Sequence, residues 1–547
     1  MFNKKTLIAS IHLALGMGIA LPAMAGTTLS GVNTSGGSFT FSGATLTNST
    51  VTFNVPATGG QYGNLVSNGD VSVTSSTIKM NTVFNAGGTT VSGQDTNRIL
   101  INGNMSGVAM LSIANNGGAG ASTDLNTNSI NDANEGISVA QVSGTSSAGA
   151  FALQGDYVAV GAYQYRLYAY QPGTSDASQR LVNTDSDGHW DYRLQNAKAT
   201  TTPVTPVTPV TPVNPANPDG PVVYGLVPQA SSYLVHNNAL LAYGQEVIGS
   251  LHQRMGEIGG AHEAEDGGFE MYARAFGNDR RYITDLRFDE YGHDYEQTVH
   301  GLQIGGNWLK NLGEDSSVRF GLFYANGQSK VTPSDVYDSL TDVAIGTSRS
   351  KIKAANYAAT VTWQSNGFYV DGVFGASDYR SDIYTGRGLA ARLDSNDIFA
   401  SVEAGYGWQV SDYLTVQPQA QVAWHKLDTE TAYDIDGLRV DMGQPEVFVW
   451  RVGARALLTP DTNAHGTALT QYVKLNVYGS EGPHQRLHLA NTYVGTGEFG
   501  QTAEFGYGMT AAFNQRLSVY GDMAWQKDIG GPSREGWTAN LGLRWSF

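Results

Sequence analysis

Few residues in this chain have the types and the spacing that catalysis needs. No histidine lies between residues 26 and 188, and Glu135 is the only glutamate from 26 to 200. The chain also contains no cysteine. A Ser-His-Asp or Cys-His arrangement is therefore impossible within residues 26–188. Pairs of aspartates could still act as acid and base, but nothing in their spacing indicates it. We expect no enzymatic activity and no cofactor.

One short motif is similar to a metal-binding loop. Residues 183–188 read Asn-Thr-Asp-Ser-Asp-Gly, as at the start of an EF-hand. The twelfth position is Leu194, where such a loop needs a bidentate glutamate. A polar turn before the segment around Trp190 is the preferred interpretation, so we expect no metal site.

The segment 1–25 has the composition of a secretory signal peptide. Two lysines precede an apolar run over 7–21, and Ala23-Met24-Ala25 is a small-x-small cleavage site. We predict export through the Sec translocon and cleavage between Ala25 and Gly26. An N-terminal anchor helix is the weaker alternative, because the run contains His12 and is short for a membrane span.

Prolines at a period of three divide the chain into two parts. They recur from Pro203 to Pro221, mostly as Thr-Pro-Val, and a polyproline II segment has three residues per turn. At about 3.1 Å per residue, this tract is a semi-rigid spacer of roughly 60 Å. Residues 201–230 are therefore predicted to be a linker, with a ligand for proline-binding modules as the alternative.

A single helix is predicted after the linker, within 231–260. Residues 231–258 lack proline, with Ser231 or Ser232 as the N-cap and Gly259-Gly260 as the stop. Such a helix would be about 42 Å long, enough to cross a bilayer-thick barrel. Its polar residues lie on all faces, which suits a water-filled lumen better than lipid.

From Phe269 to the end, twelve segments have the two-residue period of β-strands. The last of them, 537–547, alternates strictly. Its apolar face carries Leu541, Leu543, Trp545 and Phe547 among others. An exposed terminal aromatic is a liability in water but is typical of the closing strand of an outer-membrane barrel.

The connections decide between a β-sandwich and a barrel. They have three or four residues at 364–367, 411–413 and 514–516. They have about twenty at 328–350, 377–397, 428–446 and 480–502. Short turns alternating with long loops predict a 12-stranded antiparallel transmembrane β-barrel with periplasmic turns and extracellular loops. Its lumen should accommodate one helix.

This combination resembles a type Va autotransporter. Residues 250–258, Ser-Leu-His-Gln-Arg-Met-Gly-Glu-Ile, look like the end of the family's pore-threading α-helix, and 269–276 like its first strand. Residues 541–547, Leu-Gly-Leu-Arg-Trp-Ser-Phe, resemble the signal that the barrel-assembly machinery reads. The resemblance implies an autotransporter β-barrel over 269–547, inserted into outer-membrane lipid with the help of that machinery.

A second resemblance lies before the linker. Residues 98–103, 136–142, 155–167 and 187–194 are similar to the C-terminal passenger module of pertactin- and AIDA-type autotransporters. This implies a short N-terminal right-handed parallel β-helix as the passenger over 26–200, with 97–200 as an autochaperone-like module. Short alternating strands separated by Gly and Asn turns agree, although we find no strict repeat.

Some members of this family release the passenger by breaking an Asn-Asn bond inside the pore. Aligned on residues 251–256, that pair falls on Gly249 and Ser250, which lack the reactive side-chain amide. Asn237 and Asn238 are adjacent but lie more than ten residues upstream. Cleavage between them is one hypothesis, and two helix-surface amides is the favoured one, so we predict that the passenger stays attached.

The sequence therefore predicts an all-β protein of a Gram-negative outer membrane with its passenger on the cell surface. The leading hypothesis is an adhesin or self-association module that binds a host or bacterial surface ligand or a second copy, because 26–96 contains only three charged residues. A vestigial passenger without a binding function and a channel for other molecules are the alternatives. The formal net charge of −16 argues against nucleic acid as a partner.

Overall fold

The computed structural model divides the chain into two compact units, Met1–Val227 with Val336–Ile345 and Pro228–Asp335 with Gly346–Phe547. The described residues are 24–25, 29–32, 39–56, 61–126, 128, 130–183, 188–196, 198–200, 223–224, 226–258, 268–283, 294–313, 315–334, 337–338, 348–459, 468–481, 485–489, 492–496, 500–514, 516–530 and 533–547. Four predictions fall wholly or largely outside these residues. They are the signal peptide with its cleavage site at Ala25 and Gly26, the proline tract, the Gly259-Gly260 stop and the EF-hand-like turn.

Two stacks of parallel strands build the first unit. The first stack contains, in ladder order, Phe39–Phe41, Asn64–Ser67, Arg98–Ile101 and Ile137–Val142. The second stack contains Ala44–Thr47 and Thr50–Phe53, then Val71–Thr82, Met105–Asn115 and Phe151–Leu153, with Met24–Ala25 and Leu29–Val32 at its edge. Because the chain visits each stack once per turn, this unit is a parallel β-helix, as the sequence predicts.

The turns of this β-helix grow longer along the chain. The ladder partner of Phe39 is Leu65, and the partner of Leu65 is Ile99. Ile99 in turn pairs with Ala140. Each of these steps covers more of the sequence than the step before it. A sequence search at one fixed period cannot detect such a series, which explains why no strict repeat is visible.

The β-helix ends in antiparallel strands. Tyr163–Tyr170 pairs with Val158–Val160 and with Trp190–Asn196, which continues the sheet onto Ile137–Val142. A buried ion pair lies here, with Arg193 Nη1 2.7 Å from Asp191 Oδ2 and both side chains fully buried. Arg193 also donates to the carbonyls of Glu135 and Gly136, so the charge is fully surrounded by acceptors.

Smaller elements complete the first unit. Short 3₁₀ turns cover Val91–Gly93 and Ala177–Gln179. Lys198–Thr200 joins Val223–Tyr224 and Tyr337–Asp338 in a three-stranded sheet.

Twelve long antiparallel strands form the second unit. In chain order they are β1 Gly268–Ile283, β2 Tyr295–Gly313, β3 Ser316–Pro333, β4 Arg349–Ser365, β5 Phe368–Thr385, β6 Gly388–Tyr406, β7 Leu414–Thr429, β8 Glu446–Leu458, β9 Ala468–Glu481, β10 Gln501–Ala512, β11 Leu517–Gly530 and β12 Ser533–Ser546. Each pairs with its neighbour, β6 pairs with β7, and β12 pairs with β1. The sheet is therefore a closed barrel of the predicted strand number.

Side chains alternate between the lumen and the outer face along every strand, as the pleat of a β-strand requires. The outer face is apolar over most of its height. Near the short turns it carries a band of exposed aromatic residues, including Trp308, Phe320, Trp363, Phe368, Tyr406, Phe513 and Phe547. Such a band marks a membrane interface.

One of the predicted long loops is not a loop. Residues 377–397 continue β5 and β6 as a paired hairpin that turns only between Thr385 and Gly388. Polar residues are frequent in this segment, as they are in loops, because the strands extend beyond the apolar band. The backbone nevertheless keeps its antiparallel hydrogen bonds. Parts of 428–446 and 480–502 form a separate four-stranded sheet of Ala432–Tyr433, Arg439–Asp441, Gln485–Leu489 and Thr492–Thr496.

The structure has two helices where the sequence predicts one. Helix α1 covers Ala230–Ile248 and helix α2 covers Leu251–Met255. Gly249 interrupts them with a φ of 54°, and Ser250 begins α2 with a capping box on Gln253. The N-cap of α1 is Gln229 rather than Ser231 or Ser232. Among the described residues, no helix has the length and apolar character of a membrane-spanning segment.

Candidate functional site

The candidate site is the barrel lumen, which the two helices occupy. Helix α1 contacts strands on several sides, among them β1 to β5 and β7. Of its 19 residues, 17 are buried, including polar residues such as Ser232, His236 and Asn237. Burial on every face is possible for such a polar helix because the inward positions of the strands are polar as well.

The N-terminal end of α1 is bound by the connection between β7 and β8. Gln229 and Tyr233 donate hydrogen bonds to Asp434 Oδ2 at 2.9 and 3.2 Å. Burial raises the pKa of the Asp434 carboxyl, although the hydrogen bond from Gln229 opposes this shift. One turn further along α1, the Asn237 side chain donates to the carbonyl of Met442. This connection therefore attaches the helix at the extracellular end of the lumen.

A buried histidine contacts the middle of the site. His425 Nδ1 lies 2.7 Å from Asp397 Oδ2, and its Nε2 lies 2.6 Å from the side-chain nitrogen of Gln245. A Cβ on Gly244 would lie 2.9 Å from His425 Cε1. Only glycine lets the helix approach β6 and β7 this closely.

The C-terminal carbonyls of α1, which no helical N–H can reach, find partners on the barrel wall. Arg274 donates to the carbonyls of Glu246 and Val247 at 2.8 and 3.0 Å. Gln421 donates to the carbonyl of Gly249 at 2.9 Å. The break between the helices is thus specified by side chains from two different strands.

Helix α2 is held by ion pairs at the periplasmic end. Arg254 Nη2 lies 2.6 Å from Asp371 Oδ2, and the Glu257 carboxylate pairs with Arg455. The backbone N–H of Leu251 donates to Glu403 Oε2 at 3.0 Å. Buried charges of this kind are tolerated only when paired, so the helix and the wall depend on each other.

The arrangement is built to fill a pore. Within the described parts of the chain, no group of three or more His, Cys, Asp or Glu side chains is placed to bind a metal ion. The polar groups are directed at helix backbone and helix side chains. These hydrogen bonds and ion pairs hold the two helices in the lumen.

The residues of the predicted assembly signal lie on β12. Leu541, Leu543, Trp545 and Phe547 are all exposed on the outer face, as the alternation predicts. Their neighbour Arg544 points inward and donates to the carbonyl of Glu257 at 3.0 Å. Lys474 is also inside, 2.6 Å from Asp522 Oδ2. The structure thus has these four side chains on the outer face, while their recognition by the assembly machinery stays a prediction.

Asn237 and Asn238 lie in the interior of α1 and are 2% and 5% exposed. They are therefore buried amides rather than the helix-surface amides of the favoured hypothesis, because the barrel wall covers every side of the helix. The side-chain nitrogen of Asn237 donates to the carbonyl of Met442 at 3.0 Å. Cleavage at this pair stays untested.

The wall residues that hold the helices were not identified from the sequence. Asp371, Glu403 and His425 occupy inward positions on β5, β6 and β7, where a two-residue alternation places every second side chain in the lumen. The sequence signal that could have identified them is a charged or titratable residue at an inward position in the middle of a strand. Which of them meet the helix depends on register across strands, which the sequence does not reveal.

Two family models match the chain. The autotransporter beta-domain model matches residues 271–524, and the autochaperone domain type 1 model matches residues 41–167. The second match begins at 41 rather than at the predicted 97. It therefore includes most of 26–96, which the sequence left outside the autochaperone-like module, and the bounds of that module stay a prediction.

Several known proteins are similar. The adhesin BmaC autotransporter of Brucella suis biovar 1 is 28% identical over 375 residues, which cover 63% of this chain and 10% of that protein. YdeU of Escherichia coli K12 is 25% identical over 478 residues, which cover 83% of this chain and 92% of that protein. The transport unit of AIDA-I from Escherichia coli has a TM-score of 0.44 at 16% identity and covers 58% of this chain and 99% of that one. The chain thus spans about a tenth of the length of the Brucella adhesin.

Proposed function

Because the chain is an autotransporter, an outer-membrane protein whose barrel serves the secretion and display of its own N-terminal part, we propose that its β-helix is an adhesin or self-association module. Its partner is a host or bacterial surface ligand or a second copy. The similarity to a protein named an adhesin supports this proposal. The short β-helix carries few charges that would repel another surface.

The observation that carries the proposal is a polar groove on the β-helix. Thr45, Ser72 and Ser106 are in register on three neighbouring strands and present their hydroxyls outward. Asp70, Asn104 and Thr145 extend the same groove, which has a volume of about 500 Å³. Hydroxyl, amide and carboxylate groups at a regular strand spacing suit hydrogen bonding to sugar hydroxyls or to an identical ladder.

The test is a pair of surface variants in the full-length protein displayed on cells. Thr45→Glu with Ser106→Glu places two charges in the groove without touching the core. The matched control, Thr52→Glu with Ser112→Glu, places the same charges two strands apart on the neighbouring ladder. We expect the groove variant to lose cell aggregation or surface attachment and the control to retain it.

Deletion of 26–96 would not test the groove alone, because it would also remove strands on which the rest of the β-helix packs. Strands Asn64–Ser67 and Val71–Thr82 cover Arg98–Ile101 and Met105–Asn115, so the deletion would expose the core of the remaining rungs. If neither the groove variant nor charges elsewhere on the β-helix change any adhesion phenotype, the passenger is a vestigial display module. That outcome would contradict the adhesin proposal.

The same proposal includes the fate of the passenger and the way it is made. The signal peptide directs the chain to the Sec translocon, the barrel-assembly machinery inserts the barrel, and the β-helix stays attached through the linker and α1. It acts by binding and performs no enzymatic reaction. Release of a fragment beginning at Asn238 into the culture medium would overturn the attachment.

A further inference from the structure

The outer face of the barrel has an excess of positive charge at one place on its extracellular rim. Lys330 on β3 lies directly opposite Lys351 on β4. Lys353, also on β4, lies directly opposite Arg380 on β5. Like charges facing each other across a ladder are destabilising. In a chain with a formal net charge of −16, this lysine cluster (Lys330, Lys351 and Lys353) needs an explanation.

Five other cations on this rim have anionic partners within the barrel, whereas Arg349 at the start of β4 lies over the ring of Tyr384 like Lys351. In sequence order, these pairs are Arg281–Asp294, Arg380–Asp394, Arg392–Asp382, Lys426–Glu446 and Lys527–Glu535. The three lysines make no ion pair with any described residue. Asp382 faces Lys351 across the ladder, but its carboxylate is engaged by Arg392 at 2.7 Å. Lys351 instead lies over the ring of Tyr384, 5.6 Å from its centre.

The height of the cluster matches the headgroup level of the outer leaflet. On β4 the outward side chains begin at Trp363, which belongs to the aromatic band near the short turns. They continue through Val361, Ala359 and Tyr357 to Lys353. Ten residues at about 3.3 Å, on a strand tilted by about 40°, span about 25 Å of membrane thickness. This is the height of the apolar band of such barrels, so Lys353 lies where the hydrocarbon ends.

An apolar groove lies on the same strands, on the membrane side of the lysines. It has a volume of about 840 Å³ and is lined by Ile304, Gly306, Tyr324, Tyr357, Ala359 and Phe374, among others. Small residues form its floor and aromatic rings its sides. Tyr324 and Tyr357 stand side by side, with ring centres 5.2 Å apart.

We propose that this part of the barrel, from β2 to β5, is a binding site for a phosphorylated, multiply acylated glycolipid of the outer leaflet. Its phosphates bind the lysine cluster, and one acyl chain lies in the apolar groove. Three ammonium groups supply the charge that a phosphate requires, and the anion removes the repulsion between Lys330 and Lys351. A phosphate alone would use the lysines and leave the groove empty.

Binding can be measured with the full-length protein in detergent, using purified bis-phosphorylated lipid A as the probe. The test variant is K330Q with K351Q and K353Q. The matched control is K426Q with K527Q, which neutralises rim lysines that already have carboxylate partners. With about 1 kcal/mol per basic residue, the triple variant should bind the lipid at least about tenfold more weakly, and the control should be unchanged. Equal affinity of triple variant and wild type would refute the site.

Two further binding measurements distinguish recognition of the whole lipid from recognition of a simple anion. Lipid A without its phosphates, and inorganic phosphate alone, should each bind the wild type much more weakly than the intact lipid. Ala359→Trp fills the groove from the lipid side and should weaken lipid binding while the lysines remain. If inorganic phosphate binds as well as the lipid, or if Ala359→Trp has no effect, the acyl-chain part of the proposal is wrong. Heat-dependent gel mobility reports whether each variant has a folded barrel.

Discussion

The backbone N–H of Phe547 donates to the carbonyl of Phe269 at 2.9 Å, and the two rings lie 6.0 Å apart. Phe547 thus completes the seam between β12 and β1. Closure of the barrel removes the sheet edges that would otherwise be exposed to lipid without hydrogen-bond partners.

Phe547→Ala should lower the amount of assembled barrel in the outer membrane several-fold. The variant keeps the backbone hydrogen bond but loses the outward ring at the seam and in the assembly signal. The measurement is the fraction of heat-modifiable protein in outer-membrane preparations. Phe513→Ala removes another exposed aromatic from the same band, away from the seam. A similar loss in both variants would assign the effect to the aromatic band in general.

Gly249→Ala should loosen the helices in the lumen. Alanine at a φ of 54° and a ψ of −164° costs about 1–3 kcal/mol, and its Cβ would lie 2.6 Å from Arg274 Nη1. Arg274 would then lose its hydrogen bonds to the end of α1. Hydrogen exchange of the full-length protein should become faster over 244–256. Gly313→Ala, where a Cβ would meet nothing within 4 Å, is the control and should leave that exchange unchanged.

Asp191→Asn should destabilise the β-helix strongly. The substitution leaves the Arg193 guanidinium buried without its counter-charge, a change that typically costs about 3–5 kcal/mol. Protease resistance of the passenger on intact cells should fall accordingly. Asp156→Asn is a suitable control, since Asp156 is exposed and asparagine accepts its positive φ of 69°. Full resistance in Asp191→Asn would show that Arg193 finds another partner.

The β-helix should lose stability in mildly acidic medium. Burial lowers the pKa of His189 below its ordinary value of 6.5, since its ring is buried and its Nε2 has no partner among the described residues. The unfolded chain therefore binds a proton that the folded one resists. The free energy of unfolding is therefore unaffected by His189 above about pH 6.5. Below that pH it falls by at most about 1.4 kcal/mol per pH unit, because protonation of His189 favours the unfolded chain.

Passenger proteolysis at pH 7.5 and pH 5 measures this effect. His189→Asn removes the titrating ring but keeps a polar atom near Ser175, whose hydroxyl lies 3.4 Å from His189 Nδ1. The variant should show a smaller difference between the two pH values than the wild type. An undiminished difference would mean that another group is responsible.

The alternation of side chains along each strand was readable from the sequence, because it depends only on local geometry. It correctly predicted the apolar face that carries Trp545 and Phe547, and it correctly predicted the number of strands. The same local rule failed at 377–397, where polar alternation beyond the apolar band was interpreted as a loop but is a paired hairpin.

Relationships between distant residues were decided by the tertiary structure alone. The break at Gly249 depends on Arg274 and Gln421, which come from two strands far apart in sequence. The facing lysines 330 and 351 become neighbours only through the register of β3 and β4. Strand periodicity is encoded within a few residues. The pairing of helix with wall and lysine with lysine is encoded only in how the closed barrel brings those segments together.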